Sequence, residues 1–214
     1  MIERYETVVI GGGQAGLATG YYLHQHDQDF VILDASDRVG DAWRARWDSL
    51  RVFTPARYSS LPGMDFPGSP HAFPTKDEVA DYLETYAQRF DLPVELGVRV
   101  DGLERSGDRF LITAGDRRIE ATNVVVAMAS YQAPKVPAFA SKLSDDVVQL
   151  HTSDYRNPEQ LQDGACSSSV RVTREQRSPL MSSTSTRRGC LAGTSVTCHS
   201  TSTPGSAVTW GARS

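Results

Sequence analysis

A glycine-rich turn near the N-terminus constrains the fold of this chain more than any other feature. The turn, GGGQAG at residues 11–16, directly follows the apolar run Val8–Ile10 and opens a helix-compatible stretch from Gln14 to about Gln25. A second apolar run lies at Phe30–Leu33. An apolar strand, a turn, a helix and a second apolar strand predict a β-α-β unit whose two strands are parallel in one sheet.

Three glycines of this turn, Gly11, Gly13 and Gly16, have the G-x-G-x-x-G spacing of a dinucleotide-binding fingerprint. Gly11 permits the tight turn, Gly13 lets a pyrophosphate approach the backbone, and Gly16 lets helix and strand pack closely. Free N–H groups and the positive end of the helix dipole favour a phosphate at the helix start. The sequence therefore predicts an adenine-dinucleotide site formed by Gly11, Gly12, Gly13, Gln14, Ala15 and Gly16.

Asp34 closes the second predicted strand, 18 residues after Gly16. An acid at this position accepts hydrogen bonds from a ribose diol and disfavours a 2′-phosphate on that ribose. FAD or NAD therefore fits this site better than NADP. The alternative interpretation is a glycine-rich turn of an ordinary α/β protein that binds no nucleotide.

The segment after the second strand favours FAD. From Asp37 to Gly63 it reads DRVGDAWRARWDSLRVFTPARYSSLPG, which resembles the FAD-contacting stretch of flavin-containing monooxygenases. The family pattern is G-G-x-W-R, then an aromatic residue, Asp, Ser and Leu, then T-P and L-P-G. The matching residues are Gly40, Trp43, Arg44, Trp47, Asp48, Ser49, Leu50, Thr54, Pro55, Leu61, Pro62 and Gly63. The later segments FPTKDEV, VVVAMAS and LHTSDYRNP are also similar and in family order, so the resemblance covers about residues 5–165.

The resemblance implies roles for residues outside the glycine turn. Trp43 and Arg44 would lie along the flavin and its pyrophosphate, and the backbone near Val100 would meet the adenine. His151 and Tyr155 match the H-x-x-x-Y end of the family's identifying motif. Structural interpretations stay open beside these: Trp43 as a core anchor, Arg44 as a surface cation and His151 as a structural histidine. The sequence predicts no individual catalytic residue and no metal ligand.

The chain departs from the family pattern in three places, and one of them, Phe139 without the F-x-G-x-x-x-H spacing that the family has there, leaves the subgroup open. Asp41 stands where the family usually has its second glycine. Ala127, Met128 and Ala129 stand where A-T-G is usual.

By this resemblance the protein would be an FAD-dependent, NADPH-linked monooxygenase. NADPH would reduce FAD, and a flavin peroxide would transfer one oxygen atom from O₂ to a small organic substrate, so that the cofactor carries the difficult chemistry. The alternative is a non-catalytic or degenerate FAD-binding fragment. A disulfide reductase of the same architecture needs a redox-active cysteine pair, and residues 1–165 contain no cysteine.

Composition narrows the classes of partner. The formal net charge of −4 gives no reason to expect nucleic acid, which requires a basic face. No apolar run approaches the roughly 20 residues of a membrane span, and no apolar signal region precedes the first strand. A cytoplasmic protein is expected, and its oligomeric state is not predicted.

The remaining patterns complete the predicted fold. Residues 44–75 are rich in Pro and Gly and predict a long ordered loop. A helix capped by Thr75 or Asp77 should follow, and residues 94–130 suggest a short antiparallel meander that ends in a buried strand at Val124–Ala127. The predicted class is α/β, with a Rossmann-like FAD-binding domain, a central parallel sheet and a small antiparallel meander. The predicted domains are 1–165, an incomplete FAD-binding domain, and 166–214, a disordered tail.

The tail differs sharply in composition from the rest of the chain. Residues 166–214 hold all three cysteines, six arginines and a single acidic residue, so residues 1–165 carry the negative charge of the whole chain. A shift of the reading frame by one base explains this change of composition. Permitted codons for ACSSSVRVTREQRSP (residues 165–179), when translated in the frame that starts two bases later, encode VLVVGAGNSGAEIA. That is a strand, a second dinucleotide fingerprint and a helix start. The sequence therefore predicts that a frameshift, in the gene or in its sequencing, replaced the NADPH-binding half with the tail.

Overall fold

The computed structural model describes residues 2–129 and 133–162 in full and, beyond them, three backbone strands. The chain divides into two compact units, residues 1–132 and 133–214. The first unit contains strands β1 (Ile2–Ile10), β2 (Phe30–Leu33), β3 (Val94–Glu95), β4 (Gly102–Ser106), β5 (Arg109–Ala114) and β6 (Arg117–Val126). Its helices are α1 (Gln14–Gln25), α2 (Asp41–Arg44) and α3 (Lys76–Arg89), with one 3₁₀ turn at Ala56–Tyr58.

The six strands form one sheet in the order β3-β2-β1-β6-β5-β4. The first four are parallel neighbours, and β6, β5 and β4 are antiparallel. β6 belongs to both parts: its first half pairs with β5, whereas Asn123–Val126 pairs only with β1 among the described residues. The predicted central parallel sheet with a small antiparallel meander is therefore confirmed, but the strand predicted as buried at Val124–Ala127 ends at Val126, which is 58% exposed.

The two faces of the sheet are buried against different partners because strand residues alternate in direction. Val9 and Ile32 face α1 and α3 and join Leu17, Leu83 and Tyr86 in one buried cluster. On the other face, the cluster consists of Val8, Ile10, Val31, Leu33, Ile112, Ile119 and Ala121. Central strands buried on both faces explain the continuous apolar run VVI at the end of β1.

Helix α3 begins where the sequence predicts. The Thr75 side chain accepts from the Glu78 amide, while the Glu78 side chain accepts from the Thr75 amide, which completes a capping box. The preceding loop is ordered: Arg51 pairs with Thr75, and the Val52 amide donates to the Pro74 carbonyl. The short helix α2, at the start of this loop, was not predicted.

The second unit is described from residue 133 to residue 162, with β7 at Val148–His151 and 3₁₀ turns at Ala140–Lys142 and Pro158–Gln160. Three further strands, β8 (Ala165–Ser168), β9 (Ser183–Thr186) and β10 (Ser195–His199), form a sheet with it in the order β7-β10-β8-β9. The sequence predicted no strand in these three segments. For the other residues of the predicted disordered tail, the prediction lies outside the described residues.

Along the chain, the first unit ends at residue 132, and the predicted domain division at residue 165 stays a prediction. Within the part of the chain that the structure describes, no helix is long and apolar enough to cross a membrane.

Candidate functional site

The turn between β1 and α1 is held by close backbone approaches that only glycine permits. Gly11 has φ +109°, and a Cβ on it would lie 3.0 Å from the Ala127 carbonyl that follows β6. A Cβ on Gly16 would lie 1.8 Å from the Gly11 carbonyl oxygen, so α1 crosses the end of β1 at backbone contact. This is the close helix–strand packing that the fingerprint predicts.

Gly13 is different, because a Cβ on this residue would meet none of the described residues within 4 Å. It is the N-cap of α1, with extended backbone angles and no side-chain capping bond, and the first turn of α1 contains no acidic residue. Gln14 and Ala15 are exposed in that turn. Within the described ranges 2–129 and 133–162, the α1 N-terminus therefore has open space beside it and amide donors that no side chain caps, which suits an anion.

Asp34 follows β2, and its side chain links the glycine turn to the loop in which Asp34 itself lies. One carboxylate oxygen accepts from the Gly12 amide and the other accepts from the Ser36 amide at 2.8 Å. A carboxylate offers about four acceptor positions, so each oxygen keeps capacity for a further donor such as a ribose hydroxyl. Asp34 thus orients the glycine turn, which the sequence analysis did not predict, and its contact with the Ser36 amide is the local turn contact that an aspartate commonly makes two residues on.

These features fit the diphosphate and the ribose of a dinucleotide. The space over Gly13 and the uncapped amides suit the pyrophosphate, and the half-buried Asp34 carboxylate suits a ribose diol. Val100, predicted near the adenine, is half-buried against the cluster of Val8 and Val31. Among the described residues, no group of three or more His, Cys, Asp or Glu side chains could hold a metal ion.

Trp43 and Arg44 lie on α2, in the segment that follows Asp34. Trp43 is half-buried and packs against the core cluster that contains Tyr82 and Leu83. The Arg44 guanidinium donates to the Val39 carbonyl at 2.7 Å. Its other acceptors are the side chains of Asp41 at 3.3 Å, Asp81 at 2.9 Å and Glu84 at 3.1 Å. Trp43 therefore has the core contacts of the structural interpretation, and Arg44 contacts carboxylates in this structure.

Three tyrosines hold the L-P-G turn at residues 61–63, a role that the sequence analysis predicted for none of them. The Tyr82 hydroxyl accepts from the Leu61 amide and donates to the Met64 carbonyl, and the Tyr86 hydroxyl donates to the Pro62 carbonyl. Gly63 has φ +78°, and a Cβ on it would lie only 2.7 Å from the Tyr21 ring. Burial raises the pKa of Tyr86 and of Tyr82, so both hydroxyls stay protonated as donors.

His151 and Tyr155 lie in the second unit. The Ser153 amide donates to His151 Nδ1 at 3.2 Å, and the Tyr155 amide donates to the His151 carbonyl at 3.1 Å. Tyr155 is buried. The H-x-x-x-Y motif therefore forms a hydrogen-bonded turn at the end of β7.

The sequence profile of the pyridine nucleotide-disulphide oxidoreductase family matches residues 8–167. The chain belongs to this family. It is 51% identical over 160 residues to a protein of Geobacillus kaustophilus (strain HTA426) named "Uncharacterized oxidoreductase CzcO-like", a match that covers 75% of this chain and 46% of the relative. It is 32% identical to "Probable indole-3-pyruvate monooxygenase YUCCA9" of Arabidopsis thaliana, over 71% of this chain and 38% of the relative.

Among solved structures, the chain is similar to a flavin-containing monooxygenase from Stenotrophomonas maltophilia. The TM-score is 0.68 at 36% identity, and the match covers 73% of this chain and 48% of that chain. These similarities confirm the predicted resemblance to flavin-containing monooxygenases. The chain spans about half the length of the curated relatives it matches.

Proposed function

We propose that residues 8–162 form the FAD-binding part of an NADPH-linked flavin monooxygenase that oxygenates a small organic substrate with O₂. The observation that carries the proposal is the turn at residues 11–16, whose open Gly13, uncapped α1 amides and Asp34 carboxylate together suit a dinucleotide. Family membership and the flavin monooxygenase relatives favour FAD as that dinucleotide.

In this proposal, the protein binds and orients while FAD, when bound, supplies the redox chemistry and the activation of oxygen. The amides of Gly13, Gln14 and Ala15 hold the pyrophosphate, and Asp34 holds the ribose. The backbone near Val100 lies beside the adenine, and Trp43 lies along the flavin. Residues 1–165 contain no cysteine, so a disulfide-reductase function of this part of the chain is disfavoured.

The experiment is a titration of the purified chain with FAD, followed by an assay of NADPH oxidation. We expect saturable quenching of flavin fluorescence, which is lost in Gly13→Val because a branched side chain would fill the space over the turn. Full FAD content in Gly13→Val would show that the cofactor lies elsewhere. NADPH oxidation at rates typical of enzymes would show that the 214-residue chain is itself active.

The second candidate is a non-catalytic or degenerate FAD-binding fragment. It is favoured by the end of the family match at residue 167, close to the point where the composition changes. FAD binding without NADPH oxidation in the same experiment would support it. We also propose that the change of composition at residues 163–179 reflects the frameshift predicted from the sequence.

A further inference from the structure

Arg44 lies among more carboxylates than cations. Arg38 donates to both carboxylate oxygens of Glu84, at 2.7 and 2.6 Å, and Arg44 donates to Asp41, Asp81 and Glu84. We call these five residues the charge clamp. Two arginines against three carboxylates give the clamp a formal charge of about −1.

This charge balance argues against a phosphate at Arg44. A pyrophosphate is itself anionic, and at Arg44 it would compete with Asp41, Asp81 and Glu84 for the guanidinium. The side chain of Arg44 is 20% exposed and that of Glu84 is 23% exposed, so this pair is screened by water less than a pair on the open surface. The first turn of α1 contains no acidic residue, so its uncapped amides offer the same anion a site with fewer carboxylates than Arg44 has.

The charge clamp includes residues of α2, whose backbone is held against α3 at both of its ends. Gly40 has φ +90°, and a Cβ on it would lie 2.7 Å from the Ala80 carbonyl oxygen of α3. At the other end, the buried Lys76 donates from Nζ to the Arg44 carbonyl at 3.3 Å. Trp43 lies between these two points and packs on the core, so its orientation depends on how firmly α2 is held to α3.

We propose that Arg44 is a positioning residue: it holds α2, and with it Trp43, against α3 by binding Asp81 and Glu84, and it does not bind the pyrophosphate. This revises the role that the family resemblance implies for Arg44. The proposal rests on the proposed function in one respect, namely that Trp43 lies along the flavin. The packing of α2 on α3 does not depend on any cofactor.

The first test is unfolding of the full chain without FAD. Arg44→Gln and Glu84→Gln should each be less stable than the parent chain. In the double variant, the unfolding equilibrium constant should be about fivefold smaller than the value obtained by combining the two single effects. The matched control is Arg99→Gln, because Arg99 is 81% exposed and lies 3.9 Å from Asp101. Arg44→Lys should not restore stability, since an ammonium group cannot reproduce the fork of a guanidinium.

The second test is the dissociation constant for FAD, measured well below every unfolding midpoint. If Arg44 positions α2, Arg44→Gln and Glu84→Gln should both weaken FAD binding by a similar factor, about threefold to tenfold, because both release the same segment. If Arg44 bound the pyrophosphate, Arg44→Gln would weaken binding, whereas Glu84→Gln would leave it unchanged or strengthen it by removing a nearby negative charge.

The two tests separate failure of this proposal from failure of the proposed function. No FAD binding by the parent chain would overturn the proposed function, whereas the unfolding data would still decide whether the clamp exists. The positioning role would be overturned if Arg44→Gln were as stable as Arg99→Gln. It would also be overturned if Arg44→Gln and Glu84→Gln had opposite effects on the dissociation constant for FAD, or if neither changed it.

Discussion

The carbonyl oxygen of Gly11 occupies the place where a side chain at Gly16 would begin, since a Cβ there would be 1.8 Å away. A Cβ at Gly13 would have no atom of the described part of the chain within 4 Å. Glycine is therefore required at these two positions of one fingerprint for different physical reasons. Gly16 allows α1 to pack against the end of β1, and Gly13 leaves space beside the turn.

Substitution by alanine should separate these two reasons. Gly16→Ala should lower the free energy of unfolding by about 3 kcal/mol or more, because backbone atoms must move. Gly13→Ala should change it by less than about 1 kcal/mol, since its backbone angles suit any residue. Urea titration without FAD measures both. Equal destabilisation by the two variants would contradict this assignment.

Asp34 should contribute to the stability of the turn before any nucleotide binds. Asp34→Ala removes an acceptor from two backbone amides, those of Gly12 and Ser36, and should cost about 2 kcal/mol. Asp37→Ala, at an exposed acid of the same loop, is the control and should cost less than about 0.5 kcal/mol. Chemical denaturation of the two variants measures the difference, and similar stabilities would argue against the Asp34 contacts.

The Tyr21 contact at Gly63 can be isolated by a matched pair of glycines. Gly63 has φ +78° and Gly68 has φ +92°, but a Cβ at Gly63 would lie 2.7 Å from Tyr21 whereas one at Gly68 meets nothing. Gly63→Ala should therefore destabilise by about 1–3 kcal/mol more than Gly68→Ala. Thermal unfolding compares them, and an equal loss would mean that backbone strain alone matters.

The chain should lose stability in acid. Hydrogen bonds from Arg38 lower the pKa of Glu84, and hydrogen bonds from Arg117 lower the pKa of Glu3. Groups whose pKa is lower in the folded state stabilise it above their unfolded pKa, about 4.3 for Glu, and this contribution is lost as pH falls through the folded value. Urea midpoints should fall between about pH 5 and 3, and Glu84→Gln should flatten that fall. A midpoint that rises with acid would contradict the pairing.

The frameshift proposal predicts the codons of residues 163–179. Val170, Val172 and Glu175 have codons that begin with G, and the codons before them, for Ser169, Arg171 and Arg174, must end in G to give three glycines in the shifted frame. Sequencing the gene across this segment tests the proposal. Any other base at those three third positions would rule out the shifted fingerprint.

Local patterns were sufficient to predict the β-α-β unit and the start of α3. The predicted helix from Gln14 to Gln25 and the predicted strand Phe30–Leu33 have the observed bounds. The apolar periodicity of the helix, the glycine turn and the apolar run of the strand are all short-range signals. Thr75 and Glu78 are three residues apart, and their capping box depends on nothing else in the chain.

The partners of the site residues were decided by the tertiary structure. Asp81 and Glu84 are 37 and 40 residues from Arg44, and the sequence has no pattern that links them. An arginine in a W-R motif is compatible with a phosphate or a carboxylate partner, since its guanidinium binds either one through the same fork of donors. Only the packing of α3 beside α2, with Gly40 against Ala80, brings the carboxylates within reach. The sequence thus determined that Arg44 can bind an anion, and the fold placed the carboxylates of Asp81 and Glu84 within its reach.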